Sequence, residues 1–232
     1  MRVEIWSDVV CPWCYVGKRR FETAMAGFAQ RDQVEVVWRA FELDPDAPAE
    51  RTGDYATRLA QKYGTGVDQA RTMVDGMTAT AASEGLEFRF DRARPGNTFD
   101  AHRLLHLAAE RGVQDAAKER LLRATFTDGE AIGDRETLVR LVTDVGIDAE
   151  EARTVLAEGT YAAEVRAEEA EAQALGITGV PFFVVDRTYG VSGAQAPELL
   201  LEVLQRAHAD RAGLQLVTPS GDAACEGDDC VI

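Results

Sequence analysis

The chain has 232 residues, of which 46% are hydrophobic, so it can bury a large core in one domain or in a domain that carries an insertion. Its 25 basic and 40 acidic residues give a formal net charge of −15, which disfavours duplex nucleic acid and anionic membranes as partners. No stretch approaches the roughly 20 apolar residues of a membrane span, and no leader with a basic start and an apolar core precedes the first predicted strand. We therefore expect a cytoplasmic protein.

The first predicted elements are a strand, a helix and a second strand. Strand composition is present from Val3 to Asp8 and from Val34 to Phe41, with helical spacing from Val16 to Phe28 between them. From about Tyr55 to Leu175 the sequence is rich in Ala, Leu, Glu and Arg at helical spacing and is interrupted by glycines. This long block predicts several helices of ordinary length.

After the helical block, strand signals return at residues 181–185 and 189–192, and a final helix is predicted from Pro197 to about Ala209. The two ends of the chain can assemble into one sheet with flanking helices, so the predicted fold class is α/β with a large inserted all-helical domain. We expect a discontinuous domain of residues 1–50 and 176–212, an inserted helical domain of residues 51–175, and an acidic cysteine-containing tail of residues 213–232.

The four cysteines fall in two close pairs, Cys11 with Cys14 and Cys225 with Cys230. A static disulfide framework is disfavoured in a reducing compartment, where paired thiols are more typical of redox or metal-binding sites. The first pair lies at the predicted junction between a strand and a helix, which favours redox chemistry. The alternative is half of a zinc site, which would need two further ligands.

The sequence Cys11-Pro12-Trp13-Cys14 places two thiols at a helix N-terminus. Unpaired backbone N–H groups and the helix dipole stabilise an anion there, so we predict that Cys11 ionises more readily than a free thiol. Residues three apart share one helix face, so Cys11 would attack a substrate disulfide and Cys14 would resolve the mixed disulfide. Pro12 suits the first helical turn, and Trp13 is predicted to be a partly exposed contact for the substrate.

Val180-Pro181 begins the third predicted strand. A proline there cannot donate to a strand ladder, and the bond before a proline is the one peptide bond that adopts cis at modest cost. A cis proline opposite Cys11 would leave the Val180 backbone free to pair with an extended substrate segment. The alternative is an ordinary trans proline at a strand edge, and the presence of the C-x-x-C sequence favours the first interpretation.

The second cysteine pair, Cys225 and Cys230, encloses an acidic, glycine-containing segment. Five positions allow a local disulfide, while the adjacent carboxylates disfavour a thiolate. A flexible tail tethered to the domain would still reach Cys11, so one hypothesis is an auxiliary redox pair that exchanges disulfides with Cys11 and Cys14. The alternatives are an acidic tail with incidental thiols and a soft-metal chelator that uses sulfur and carboxylate groups.

Five segments in order along residues 1 to 210 carry a family resemblance: S-D-V-V-C-P-W-C-Y at 7–15, F-E-L at 41–43, N-T at 97–98 with A-H-R-L at 101–104, G-V-P-F-F at 179–183, and S-G-A-Q at 192–195. Together they resemble the DsbA family and, more narrowly, its cytoplasmic FrnE-type branch. The resemblance implies a thioredoxin-like sheet with an inserted helical domain and a cis Pro181 that faces Cys11. It also implies a thiol-disulfide oxidoreductase or disulfide isomerase that acts on protein disulfides.

The exchange itself would need no metal or organic cofactor, and glutathione or a thioredoxin system is the expected electron partner. Two other functions stay open: a soft-metal-binding or redox-sensing protein that uses both cysteine pairs, and a glutathione-dependent transferase or isomerase. The second is disfavoured, since the similar kappa-class transferases and hydroxychromene carboxylate isomerases carry Ser at the position of Cys11. His102 and His106 share a helix face, but no H-E-x-x-H sequence is present, so we interpret them as packed or surface histidines.

Overall fold

The structure is a computed structural model that describes residues 1–51 and 53–211. These residues form one mixed sheet and a set of helices, most of which lie between the second and third strands. The strands are β1 (Arg2–Ser7), β2 (Glu35–Ala40), β3 (Phe182–Val185) and β4 (Tyr189–Ser192). The α-helices are α1 (Pro12–Gly27), α2 (Tyr55–Tyr63), α3 (Val67–Ser83), α4 (Phe99–Glu110), α5 (Gln114–Arg123), α6 (Arg135–Thr143), α7 (Ala149–Glu158), α8 (Ala162–Ala174) and α9 (Pro197–Arg211).

β1 is an inner strand of the sheet, whose order is β2-β1-β3-β4. It runs parallel to β2 and antiparallel to β3, and β4 adds an antiparallel edge. Ile5 of β1 lies opposite Trp38 of β2 and Phe183 of β3. Because side chains alternate along a strand, Ile5 and its neighbour Trp6 face opposite sides of the sheet. The predicted α/β fold class with a helical insertion is confirmed.

Helices cover the face of the sheet that carries Val3 and Ile5. α1 and α9 pack there, and the core between them and the sheet contains Phe21, Phe28 and Leu204, each at most 4% exposed. Burying such side chains stabilises the fold by about 1.5–3 kcal/mol each relative to exposure. α1 is thereby fixed on the sheet, with its first turn at the carboxyl end of β1.

α8 covers the opposite face, although in the sequence it belongs to the block between β2 and β3. Trp6, Ala172 and Val184 form a buried cluster on this face, and the Trp6 indole N–H donates to the Glu168 carbonyl at 3.1 Å. One helix of the inserted block is therefore part of the wall of the sheet domain. The division of the chain into three parts stays a prediction.

Helices α4 to α7 enclose a second core that takes in the loop before Cys11. Leu104, Leu121 and Leu138 are fully buried in it, and Val9, between β1 and α1, is fully buried in the same cluster. The helical block therefore fixes the backbone that leads to the C-x-x-C sequence. Among the helices that the structure describes, none combines the length and the apolar character that a membrane crossing requires.

The segment that links β2 to α2 is clamped by two glycines. A Cβ atom on Gly96 or on Gly133 would lie 1.9 Å from the Ala49 carbonyl oxygen, which no real contact allows. The Arg51 N–H donates to the Pro95 carbonyl at 2.9 Å and holds the end of the same segment. This clamp matters for function because the segment forms one wall of the cleft described below.

Candidate active site

α1 begins directly after Cys11, four residues before the start at Val16 that helical spacing predicted. Cys11 caps the helix with an extended backbone (φ −95°, ψ 112°), and Pro12 occupies the first turn, where its missing N–H leaves no hydrogen bond unmade. The Cys11 N–H donates to the Asp8 carbonyl at 3.2 Å, and the Cys14 N–H donates to the Cys11 carbonyl at 3.0 Å. This turn brings the two cysteines together as free thiols.

Only one of the two thiols faces open space. Cys11 lines a cleft of about 1,050 Å³, to which Cys14 does not contribute. Cys11 is 4% exposed and Cys14 is completely buried. Pro12 and Trp13 line the same cleft, and Trp13 is partly exposed, as predicted. A reagent that enters the cleft therefore meets the Cys11 sulfur first.

The loop before β3 closes the site from the other side. The Val180–Pro181 peptide bond is cis, as the resemblance implied. The Cys11 thiol donates to the Val180 carbonyl oxygen at a sulfur–oxygen distance of 3.4 Å, and Val180 lines the cleft. The fold thus brings positions 11 and 180 together, although the whole predicted helical block lies between them in the sequence.

Gly17 allows this loop to approach α1. A Cβ atom on Gly17 would lie 2.8 Å from Pro181 Cγ and 3.5 Å from Ala194 Cβ. Arg20, one turn further along α1, donates to the Ala194 carbonyl at 2.6 Å and so holds the segment after β4 against the helix. The position of Pro181 relative to Cys11 therefore depends on the absence of a side chain at position 17.

A buried cation lies beneath the two thiols. Lys118 of α5 is completely buried, its Nζ donates to the Ser7 carbonyl at 3.2 Å, and it lies 5.6 Å from the centre of the Trp38 ring. Burial lowers the pKa of Lys118 to about 8, although the negative charges of Cys14 and Asp8 act in the opposite direction. Lys118 is therefore a buried amine that loses its proton more readily than an exposed lysine does.

A buried carboxylate completes the base of the site. Asp8 is fully buried, accepts a hydrogen bond from the Leu43 N–H at 2.8 Å, and has Oδ1 3.4 Å from His102 Nε2. Burial raises the pKa of Asp8, but His102, the Leu43 N–H and the charge of Lys118 outweigh burial and hold it below its ordinary value. Asp8 is thus a fixed negative charge next to the thiols. His102 is packed in the core, as predicted, with its Nε2 facing this carboxylate.

The surroundings of the dithiol favour a thiolate on Cys14 over one on Cys11. Burial opposes ionisation of Cys14, yet the adjacent Cys11 thiol, the charge of Lys118 and the nearby Ser7 hydroxyl outweigh it and lower the pKa. The pKa of Cys11 is raised because the adjacent Cys14, burial and the negative charge of Asp8 disfavour a second thiolate. For the pair of free thiols, the prediction that Cys11 ionises more readily than a free thiol is wrong. That prediction considered the helix dipole and left out the charge of Lys118.

Lys118 and Ser7 lie beside the two thiols, and sequence reasoning gave neither of them a role. Ser7 lies in one of the segments that carry the family resemblance, and the resemblance implies no role for it. Lys118 precedes the buried Leu121 and Leu122 by three and four residues, which places it on the apolar face of α5. A lysine on an apolar helix face was the available signal, because such a position requires a buried partner.

Cys225 and Cys230 lie outside the described residues, so their relation to Cys11 stays a prediction. Within residues 1–51 and 53–211, no group of three or more His, Cys, Asp or Glu side chains is arranged to hold a metal ion. A zinc ion bound to Cys11 and Cys14 would thus need ligands from elsewhere in the chain or from another molecule.

Comparisons with known proteins agree with this geometry. Residues 2–205 match the family described as the DSBA-like thioredoxin domain. The crystal structure of a probable DsbA oxidoreductase from Streptomyces coelicolor is 51% identical to this chain, with a TM-score of 0.87, and the match covers 100% of this chain and 99% of that chain. The protein named uncharacterized protein YwbO from Bacillus subtilis (strain 168) is 30% identical over 196 residues, which are 81% of this chain and 88% of the relative.

A more distant solved structure shares the fold. It is that of the cytosolic disulfide reductase DsbM from Pseudomonas aeruginosa, determined with GSH. It is 17% identical, has a TM-score of 0.63, and the match covers 90% of this chain and 100% of that chain. At this identity the likeness speaks for the architecture alone.

Proposed function

Because the chain belongs to the DSBA-like thioredoxin domain family, as the resemblance predicted, we propose that it is a thiol-disulfide oxidoreductase that acts on protein disulfides through Cys11 and Cys14. The observation that carries this proposal is the pair of neighbouring free thiols at the start of α1, of which only Cys11 faces the cleft. An accessible sulfur with a second sulfur beside it is the arrangement that disulfide exchange requires. The exchange itself needs no metal or organic cofactor.

The proposed reaction is a two-electron transfer. The proton of Cys11 moves to Cys14, and the Cys11 thiolate attacks one sulfur of the substrate disulfide. A bond forms between Cys11 and that sulfur, the substrate disulfide breaks, and the departing sulfur leaves as a thiolate that takes up a proton. Cys14 then loses its proton and attacks the Cys11 sulfur, which releases the second substrate thiol. The substrate gains two electrons and the enzyme is left with a Cys11–Cys14 disulfide; oxidation of a substrate is the reverse.

Lys118 and Ser7 support the second step. Cys14 is completely buried, so its thiolate needs a compensating charge at the moment of attack. The charge of Lys118 and the Ser7 hydroxyl act on this thiolate. We therefore assign these two residues to the stabilisation of the resolving Cys14 thiolate.

The substrate is proposed to bind as an extended segment beside Val180. The Val180 carbonyl lies at the Cys11 sulfur, and its N–H donates to no other group in the described part of the chain. An extended chain can therefore add to this backbone in the manner of an edge strand. Pro181 holds the loop in place, and Pro12 and Trp13 line the entrance of the cleft.

The cellular role is proposed from the same chemistry. A mixed disulfide with Cys11 that persists long enough to be attacked by another substrate thiol would give disulfide isomerase activity. A FrnE-type protein of the cytoplasm would take electrons from glutathione or from a thioredoxin system. The disulfide reductase DsbM, a protein of the same fold, is named cytosolic and was solved with GSH.

The tail pair Cys225 and Cys230 is proposed as an auxiliary redox pair. α9 ends at Arg211, which pairs with Asp186 at 3.4 Å, and Asp186 accepts the Arg2 N–H at 2.8 Å. The end of α9 is therefore near the start of β1, one strand length of about 20 Å from the site. The 14 residues from 212 to 225 reach at most about 46–50 Å when extended, which is enough to bring Cys225 to Cys11.

The proposed function is tested with Cys11→Ser and Cys14→Ser variants in an insulin reduction assay. We expect Cys11→Ser to abolish reduction, since no attacking sulfur remains, and Cys14→Ser to accumulate a mixed disulfide visible by mass spectrometry. Unchanged circular dichroism of both variants shows that the fold is kept. Reduction of insulin by Cys11→Ser at the wild-type rate would refute the assignment.

Two further measurements address the finer proposals. Reactivation of scrambled ribonuclease tests isomerase activity, and truncation after Pro219 tests the tail. We expect truncation to slow turnover of protein disulfides without changing the reaction of Cys11 with a small disulfide. Identical kinetics and reduction potential in the truncated protein would remove Cys225 and Cys230 from the mechanism.

A further inference from the structure

The hydroxyl group of Tyr55 is a hydrogen-bond donor that the described residues leave unused. Tyr15 of α1, by contrast, donates its hydroxyl to Glu119 at 2.7 Å. Tyr55 lines the Cys11 cleft, and within the described part of the chain its hydroxyl bonds to no other group. A phenol has one O–H to donate, so this donor is available to a molecule that enters the cleft.

The ring that carries this hydroxyl is held in place by its neighbours. Tyr55 is the first residue of α2, whose first turn is capped by the Asp54 carboxylate, which accepts the Thr57 N–H at 2.9 Å. The centre of the Tyr55 ring lies 4.6 Å from that of Phe90, and the Arg58 guanidinium lies 5.5 Å from it on the same helix. The donor is therefore fixed before a substrate binds, as electrostatic stabilisation of a reacting atom requires.

Tyr55 stays a neutral donor at physiological pH. Burial raises the pKa of Tyr55 to about 12, and the negative charge of a Cys11 thiolate acts in the same direction, while Arg58 opposes both. The hydroxyl thus keeps its proton under conditions in which an ordinary thiol is partly ionised. It also lies near enough to Cys11 for charge on the sulfur to act on it.

A gap separates the Tyr55 hydroxyl from the Cys11 sulfur. The Cys11 thiol donates to the Val180 carbonyl oxygen at 3.4 Å, and it makes no hydrogen bond with Tyr55, although both residues line one cleft. In disulfide exchange the attacking, central and departing sulfurs form a row, and the departing sulfur gains the negative charge. The space between the two groups is therefore the place in the cleft for the substrate sulfurs.

Resting on the proposed function, we infer that Tyr55 is a further catalytic residue, whose hydroxyl donates a hydrogen bond to the departing sulfur of the substrate disulfide. The Cys11 thiolate forms a bond to the nearer substrate sulfur, the substrate S–S bond breaks, and its electron pair goes to the departing sulfur. Tyr55 stabilises this developing thiolate and keeps its own proton, and the thiolate takes its proton from water. In the reverse reaction, the same hydroxyl receives the incoming substrate thiolate.

The test follows the first step alone, in single-turnover stopped-flow reactions of the reduced protein with two small uncharged disulfides. Hydroxyethyl disulfide releases a basic aliphatic thiolate, whereas dithiodipyridine releases an aromatic thiolate that is stable without a donor. We expect Tyr55→Phe to react about tenfold more slowly with hydroxyethyl disulfide, the effect of losing a hydrogen bond to a charged group, and less than about twofold more slowly with dithiodipyridine. The phenylalanine ring retains the contacts with Phe90 and Arg58 that hold the fold.

Tyr63→Phe is the matched control. Tyr63 is the last residue of α2 and lines the same cleft, but it is 59% exposed, so water already solvates its hydroxyl. This variant should react with both disulfides at wild-type rates. Equal slowing of the two variants, or a wild-type rate of Tyr55→Phe with hydroxyethyl disulfide, would overturn the role of Tyr55.

Alkylation with iodoacetamide separates a role at the departing sulfur from a role at Cys11. This reaction consumes the Cys11 thiolate and releases no sulfur, so Tyr55→Phe should be alkylated at the wild-type rate. Tenfold slower alkylation would show that Tyr55 acts on Cys11 itself and would overturn the inference. Wild-type protein that is alkylated at Cys11 but reacts with neither disulfide would refute the oxidoreductase function, whereas normal wild-type exchange with no effect of Tyr55→Phe would refute only the role of Tyr55.

Discussion

Lys118 Nζ donates to the Ser7 carbonyl oxygen at 3.2 Å, so a side chain of the helical block ends beneath the first turn of α1. The lysine is completely buried, and its charge lowers the pKa of Cys14, the thiol that the cleft does not reach. The helical block therefore contributes to the redox site itself as well as covering the sheet. The charge that a resolving thiolate needs is supplied from a position 107 residues after Cys11 in the sequence.

Replacing Lys118 with Met should raise the pKa of Cys14, because the positive charge that stabilises its thiolate is removed. A rise of about one unit, or roughly 1.4 kcal/mol, would lower the thiolate fraction at neutral pH about tenfold. Resolution of the mixed disulfide should slow by a similar factor. Ultraviolet absorbance of the thiolate, followed through a pH titration, measures the first effect, and stopped-flow kinetics with a peptide disulfide measure the second.

Lys18→Met is the matched control for this prediction. Lys18 lies 6.0 Å from the centre of the same Trp38 ring, but it pairs with Glu22 and with Asp115 and is not among the charges that act on either thiol. Its removal should change the stability of the fold without moving the thiol titration. An unchanged titration in Lys118→Met would show that Cys14 is stabilised by other groups.

Replacing Asp8 with Asn should lower the pKa of Cys11, because the negative charge of Asp8 is one cause of its elevation. The asparagine oxygen still accepts the Leu43 N–H, so the backbone around the site is kept. Easier ionisation stabilises the reduced form and makes the pair more oxidising, by about 30 mV for each tenfold change in the equilibrium. Equilibration with glutathione buffers measures the potential.

Asp46→Asn serves as the control for the Asp8 prediction. Asp46 lines the same cleft but is not among the groups whose charge acts on either thiol. We expect the reduction potential of the Asp46→Asn variant to equal that of the wild type. A potential that moves equally in both variants would indicate a general effect of negative charge and not a specific role of Asp8.

Replacing Gly17 with Ala should displace the Pro181 loop from Cys11, since the new methyl group would lie 2.8 Å from Pro181 Cγ. Overpacking of this kind costs about 1–3 kcal/mol of stability. Because the loop also presents Val180 to the substrate, KM for a peptide disulfide should rise more than tenfold while the reaction with a small aromatic disulfide changes little. Steady-state kinetics with the two substrates separate these effects.

Gly76→Ala is the control for Gly17→Ala. Gly76 lies within α3, and a Cβ atom there would meet nothing within 4 Å. Alanine in a helix interior is favoured over glycine by about 0.5–1 kcal/mol, so this variant should be slightly more stable and kinetically normal. Equal KM values for peptide disulfide in the two glycine variants would contradict a positioning role of Gly17.

The extent to which the sequence predicts this site depends on how local each interaction is. Cys11 and Cys14 are recognisable because their chemistry depends on residues within one helical turn. Pro181 acts across the fold, and it was identified only because an X-Pro sequence is conspicuous and a family resemblance supported it. Lys118 carries no such local mark. Its partner is the backbone of Ser7, and backbone oxygens are the same at every position in a sequence.

The sequence likewise predicts only the local part of what controls the ionisation of the two thiols. The helix dipole follows from the strand-to-helix junction, so the sequence predicts an anion near Cys11. The balance between Cys11 and Cys14 is decided by charges that arrive from α5 and from the end of β1, and by the depth at which each sulfur is buried. These quantities exist only after the helical block has packed on the sheet.

Glu42 should make the fold less stable as the pH rises towards neutrality. Its side chain is completely buried, Oε1 has no hydrogen-bond partner among the described groups, and burial together with the charge of Glu169 raises its pKa to about 7 despite the pairing with Arg166. Between pH 4.5 and 7 the native state therefore binds more protons at this site than the unfolded state, and the free energy of unfolding falls across that range.

Glu42→Gln removes this titration and should be more stable than the wild type at pH 8 by about 1–3 kcal/mol, with little difference at pH 5. Urea denaturation of both proteins at several pH values gives the comparison. Glu169→Gln is the control, because removing that neighbouring carboxylate lowers the pKa of Glu42 and should reduce the pH dependence without abolishing it. Parallel stability curves for wild type and Glu42→Gln would mean that Glu42 is ionised in the native state throughout this range, and that Arg166 alone compensates its burial.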